Sequence, residues 1–196
     1  MSKPEEIHRS FIAFDIDDPG ILDRIRRVQE ELVATRADLK IVEPRNVHVT
    51  LRFLGEIPRH KVEQVCEEMK RIAFPLFKIR LQGVGAFPNT RRPRVVWIGI
   101  SEGSKELSDI FSQLEPCLVK LGFQREDRGF NPHLTIARVR SDRNAEQLAK
   151  RLLDLAHNDF GGFEARVLRL KRSVLTSSGP IYSNLYETAC SEGDRK

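Results

Sequence analysis

The sequence predicts an α+β fold in which two similar lobes meet at one groove, and three observations carry that expectation. The stretch Val47-His48-Val49-Thr50-Leu51 has a second copy in Pro132-His133-Leu134-Thr135-Ile136. The 85-residue offset between the two histidines also superposes other features. It carries the apolar run 11–14 onto 96–99, the helix-like segments starting near Gly20 and His60 onto those near Lys105 and Ala145, and Asn46 onto Asn131. Finally, period-2 alternation and helical spacing take turns along the chain, with no low-complexity segment or linker to divide it.

The 196 residues suit one domain made of two lobes, about 8–90 and 94–188, with 189–196 a frayed tail. Residues 8–15 read as a buried strand. Asp17-Asp18-Pro19 caps a helix whose apolar positions are Ile21, Leu22, Ile25, Val28 and Leu32. After the turn Pro44-Arg45-Asn46, Val47, Val49, Leu51 and Phe53 alternate with His48, Thr50 and Arg52. Gly55 and Pro58 end that strand, and Val62, Val65, Cys66, Met69 and Ile72 mark a helix. A strand at 77–82 leads to the basic loop 88–94, which fits a nucleic-acid backbone or a solvated hairpin tip equally well.

The apolar run 95–100 opens the second lobe. The helix that follows, from Leu107 to Leu121, should be kinked or shortened by Pro116. The second motif strand runs over 132–140, and Asp142 is the expected cap of a helix through Leu148, Leu152 and Ala156. Strands near 163–170, 171–176 and 181–187 complete the chain, the last two joined by Ser177-Ser178-Gly179-Pro180.

Composition narrows the function classes. No apolar run is long enough to span a bilayer, and the first residues form no secretion signal. Cys66, Cys117 and Cys190 stand far apart, as reduced thiols in a cytoplasmic protein would. The net charge is +5, with 23 arginines against 10 lysines. That bias favours a phosphate-bearing partner, because the planar guanidinium grips phosphate with two hydrogen bonds. A surface laced with ion pairs accounts for it equally well.

His-x-Thr spacing on a strand puts imidazole and hydroxyl on one face and the apolar neighbours on the other. Two such strands at one groove make an acid–base pair: one histidine takes a proton from the attacking oxygen and the other gives one to the leaving oxygen. Thr50 and Thr135 can then bond the non-bridging oxygens of a phosphoryl group between them. The scheme needs no metal or cofactor. No zinc-ligand spacing, phosphate loop, dinucleotide glycine pattern or nucleophile elbow is present. His8, His60 and His157 lack the paired threonine and read as surface or helix-face residues.

The pair of His-x-Thr-x motifs, with Asn46-Val47, 52–56, Pro132, Phe87-Pro88, 94–97 and 178–182 around them, resembles the 2H phosphoesterase superfamily. More narrowly, it resembles the RNA 2′,3′-cyclic phosphodiesterases formerly called 2′-5′ RNA ligases, over essentially the whole chain. The resemblance implies a bilobal pseudo-twofold fold, with two antiparallel sheets lining a central cleft and helices outside. It implies hydrolysis of RNA 2′,3′-cyclic phosphate ends to 2′-phosphates, with His48 as proton donor, His133 as acceptor, and Thr50 and Thr135 beside them; a monomer is expected. It also implies that Phe53 and Arg138, each five positions after a motif histidine, sandwich a base. Strict alternation turns both toward the core, so that role requires a bulge or the strand's end. Arg52, next to Phe53, is a further substrate-binding candidate. The alternatives are 2′-5′ ligation by the reverse reaction, a non-catalytic module that binds RNA ends, and action on a small cyclic nucleotide.

Overall fold

A computed structural model describes residues 5–127, 129–177 and 179–191. The order is β1 (Ile7–Asp15), α1 (Pro19–Ala34), β2 (Leu39–Ile41), β3 (His48–Pro58), α2 (Arg59–Met69), β4 (Phe77–Phe87), β5 (Val95–Glu102), α3 (Ser104–Lys120), β6 (His133–Val139), α4 (Ala145–Asp154), β7 (Asp159–Ala165), β8 (Val167–Thr176) and β9 (Gly179–Ala189). The strands form one nine-stranded sheet in the order β7-β4-β5-β6-β3-β1-β8-β9, with β2 paired to β6. All the strand pairings are antiparallel. The two expected sheets are therefore halves of one, joined between β3 and β6 by the single pair Val49↔Leu134. No described helix is long and apolar enough to cross a membrane.

The helices keep the internal offset. Shifting α1 and α2 by 85 residues lands them on α3 and α4, starting points included to within one residue. The strands do not divide at residue 90. β4, from the first half of the chain, lies between β5 and β7, while β8 and β9, from the second half, lie beside β1. Contiguous lobes of 8–90 and 94–188 thus give way to halves that exchange strands. The cause is hydrogen bonding: after α2 the chain crosses to pair β4 with β5 instead of returning to β1.

One apolar core underlies both halves. It includes Ile12, Phe14, Ile25 and Leu32 from the first half and Ile98, Leu107, Leu134 and Leu152 from the second, all at most 1% exposed. Each such side chain contributes about 1.5–3 kcal/mol by leaving water. Asp18 caps α1, its carboxylate accepting from Ile21 N at 2.8 Å, as the sequence indicates.

Several expectations are corrected. α3 runs through Pro116 to Lys120 rather than stopping there. The cap of α4 is Asn144, in a left-handed conformation (φ 53°), while Asp142 pairs with Arg94 at 3.1 Å. β8 is unbroken across 170/171, and the chain turns at Arg166 instead. His8 is a buried residue of β1 at 7% exposure, whereas His60 and His157 are exposed. The tail is tied down through Ser191, because Cys190 N bonds Arg166 O at 2.7 Å and Ser191 N bonds Phe74 O at 2.8 Å; residues 192–196 of that expected tail lie outside the described residues. Ser178 of the expected turn also lies outside them.

Candidate active site

The β3–β6 junction sets the geometry. Val49 and Leu134 are directly opposite and fully buried, so the residues flanking each of them face the other side. Continuing that register by one residue puts His48 across from Thr135 and Thr50 across from His133. The two His-x-Thr couples thus meet head to tail on one sheet face, about 5 Å apart as cross-strand neighbours.

Both imidazoles are held alike. His48 Nδ1–H donates to Asn46 O at 2.8 Å, and His133 Nδ1–H donates to Asn131 O at 2.8 Å. A carbonyl oxygen only accepts, so each Nδ1 carries the hydrogen and each Nε2 is left for a ligand. Asn46 is fixed in turn: it closes a 3-10 turn at 44–46, and its buried carboxamide donates to Pro180 O at 3.0 Å.

Around the rings the two copies differ. His48 stacks on Phe11 (4.7 Å, 28°) and meets the edge of Tyr182 (5.4 Å, 82°). Its cross-strand neighbour on β1 is Asp15, which pairs with Lys171 and lies 3.4 Å from Arg169. Burial in this aromatic cradle pushes the His48 pKa down to about 4, although the Asn46 bond and the Asp15 charge work the other way and Lys171 works with burial. Among the described residues His133 meets only the edge of one aromatic ring, Phe87 (5.0 Å, 81°), and its neighbour on β5 is Gly99, with no charge.

Phe53 and Arg138 reach the face of the histidines because each strand carries one extra residue between its motif threonine and that position. Ile12 pairs with Arg52 and Ala13 with Thr50, leaving Leu51 over. Val96 pairs with Ala137 and Trp97 with Thr135, leaving Ile136 over. The two bulges are 85 residues apart, equivalent points of the two halves. The Ile136 carbonyl freed there accepts from the buried Gln29 carboxamide at 3.0 Å and from Val42 N at 3.0 Å. Beyond the bulges, Phe53 is 63% exposed and 6.0 Å from Phe11, and Arg138 is exposed, its charge felt by the Tyr182 phenol.

The same bulge turns Arg52 away, so the structure does not bring that candidate to the site. Its guanidinium bonds Glu115 at 3.0 Å, Glu126 at 3.5 Å and the Gln124 carbonyl. Glu115 also accepts from Glu126 N at 2.7 Å. Arg52 and Glu115 side chains are each 11% exposed. This brace ties β3 to the loop that leads into Asn131 and His133. The sequence reading missed Asp15, Lys171 and the ring contacts of Phe11 and Tyr182. Only the β1–β3 register brings them to His48, and a single sequence carries no signal for pairing partners.

Comparisons with known proteins follow the same lines. The family described as LigT like Phosphoesterase matches twice, over residues 16–97 and 98–182, in keeping with two copies of one pattern. A protein of Archaeoglobus fulgidus named RNA 2′,3′-cyclic phosphodiesterase is 42% identical over 177 residues, covering 90% of this chain and 97% of its own. One of Aeropyrum pernix with the same name is 39% identical over 175 residues, covering 89% and 99%. Among solved structures, TT0787 of Thermus thermophilus superposes with a TM-score of 0.76 at 26% identity, covering 92% of this chain and 97% of that one. Escherichia coli LigT, solved with 3′-AMP, gives 0.77 at 24% identity, covering 95% and 100%. With two family matches spanning most of the chain and relatives near 40% identity over nearly their whole length, the chain belongs to the LigT-like phosphoesterase family.

Proposed function

We propose that this protein hydrolyses RNA 2′,3′-cyclic phosphate ends to 2′-phosphates, with His48 and His133 as the acid–base pair. The observation that carries the reading is the matched tautomer: both rings are pinned through Nδ1, so both present Nε2 on one sheet face. The names of the relatives point to the same substrate.

In the reaction, water attacks phosphorus opposite O3′, one histidine takes a proton from that water, and the other gives a proton to O3′ as the P–O3′ bond breaks. Thr50 and Thr135 bond the two non-bridging oxygens. Phe53 and Arg138 stack on the terminal base from opposite sides. The family assignment makes His48 the donor, and its surroundings make that role depend on substrate. Unliganded, with a pKa near 4, His48 is neutral at pH 7. A phosphodiester anion about 4 Å away stabilises the imidazolium by about 4 kcal/mol at an effective dielectric of 20. That attraction raises the proton affinity of the ring back toward the neutral range. His48 is thus charged for donation by the substrate itself.

A site complete in one chain supports a monomer, and three free cysteines support the cytoplasm. The test is incubation with an oligoribonucleotide ending in a 2′,3′-cyclic phosphate. A 2′-phosphate product is expected, insensitive to EDTA; a 3′-phosphate product, or none, contradicts the reading.

A further inference from the structure

Strand β2 is three residues long and pairs with β6 outside the main order of the sheet. Leu39 and Ile41 pack against the core, so Lys40 between them points the opposite way, into solvent. Lys40 is the cross-strand partner of Arg138, and partners in an antiparallel pair share a face. That face is the one to which the bulge at Ile136 turns Arg138.

On its other side Arg138 pairs with Val95, the first residue of β5. The loop 88–94 enters there from Phe87, whose ring meets His133. The Asn89 side-chain oxygen accepts from Arg91 N at 3.1 Å and Arg92 N at 3.0 Å, and Arg94 N bonds Phe87 O at 2.8 Å. The loop is therefore a built turn, and Arg91 and Arg92 stand exposed on it.

Many cations elsewhere are matched to carboxylates, as Arg80 is to Asp159 (2.6 Å) and Arg169 to Glu187 (2.9 Å). Among the described residues, Lys40, Arg91 and Arg92 have no such partner. The acids of this region are spoken for or displaced: Asp142 pairs with Arg94, and Asp38 lies beyond the outer end of β2.

The geometry points to a phosphate-binding rim of Lys40, Arg91 and Arg92, which holds the backbone of an RNA strand on the 5′ side of its terminal cyclic phosphate. It rests on the function proposed above and adds to it a preference for oligomers. The base of the terminal nucleotide sits at Arg138, and the strand continues past it between Lys40 on one neighbouring strand and the Arg91–Arg92 turn on the other side. A cyclic mononucleotide has no phosphate to place there.

The experiment uses the full chain and the triple variant Lys40→Ala, Arg91→Ala, Arg92→Ala. For hydrolysis, kcat/KM is compared on a six-residue RNA and on a mononucleotide, both ending in a 2′,3′-cyclic phosphate. The variant is expected to lose about tenfold or more on the RNA and less than twofold on the mononucleotide. Equal losses, or none, overturn the rim. A second arm needs no turnover: binding of a six-residue RNA with a 3′-phosphate is followed by fluorescence anisotropy from low to high salt. Three lost contacts should flatten the slope of log affinity against log salt by about 2. An unchanged slope overturns the rim. If the wild type hydrolyses neither substrate, the function proposed above fails, and the binding arm still decides the rim.

Discussion

His48 and His133 occupy equivalent points in the two halves, with the same backbone acceptor at the same 2.8 Å, and yet they stand in different electrical settings. His48 is enclosed by Phe11 and Tyr182 with Asp15 opposite; His133 has one ring edge and a glycine opposite. The repeated parts are those that fix ring orientation, and the divergent parts are those that tune proton affinity. Duplication of a strand thus supplies two aimed imidazoles, and the neighbouring strands make them unlike.

The largest expected effect removes either ring. His48→Ala and His133→Ala should each lower kcat by roughly 10²–10⁴-fold, and the double variant by little more than one of them, since the two act as a unit. Additive losses, read from steady-state rates, would break the pairing. Next comes the brace under the His133 loop. Arg52→Ala leaves two carboxylates facing each other in a site where Arg52 and Glu115 are nearly buried, and should cost about 3 kcal/mol in urea unfolding. A loss below about 0.5 kcal/mol would show that the brace is ornamental.

Phe53→Ala should raise KM by about tenfold, because base stacking on an exposed ring is worth about 1–3 kcal/mol, while stability barely changes. The last effect appears only in acid. The unfolded His48 ring takes up a proton near 6.5 and the folded one only near 4, so the ring opposes folding increasingly as pH falls through that window. His48→Gln should therefore flatten the loss of stability between pH 6.5 and 4, measured by urea unfolding; an unchanged pH dependence would mean that the ring is not desolvated.

The paired motif, the helices and their 85-residue offset were legible because each is a local pattern: side-chain periodicity and a repeated word. The exchange of β4 and β8 between halves was not, since it depends on which edge a strand finds after a helix crosses. The fates of Phe53, Arg138 and Arg52 turn on one extra residue in each strand, Leu51 and Ile136. Neither looks unusual in sequence, because an apolar residue suits an inward bulge as well as a regular position. The alternation shows that a bulge or a strand end is needed, but not which of the two is present. His8 was misread because nothing beside it in the chain shows that β1 is covered on both sides.

The most direct test is nitrogen NMR of the two imidazoles during titration with a nucleoside 2′-phosphate, the expected product. Both Nε2 signals should shift together, with His48 titrating near pH 4 in the free protein and at a higher pH once the anion is bound. A shift confined to one ring would contradict the account, because the two histidines would then not share a phosphate.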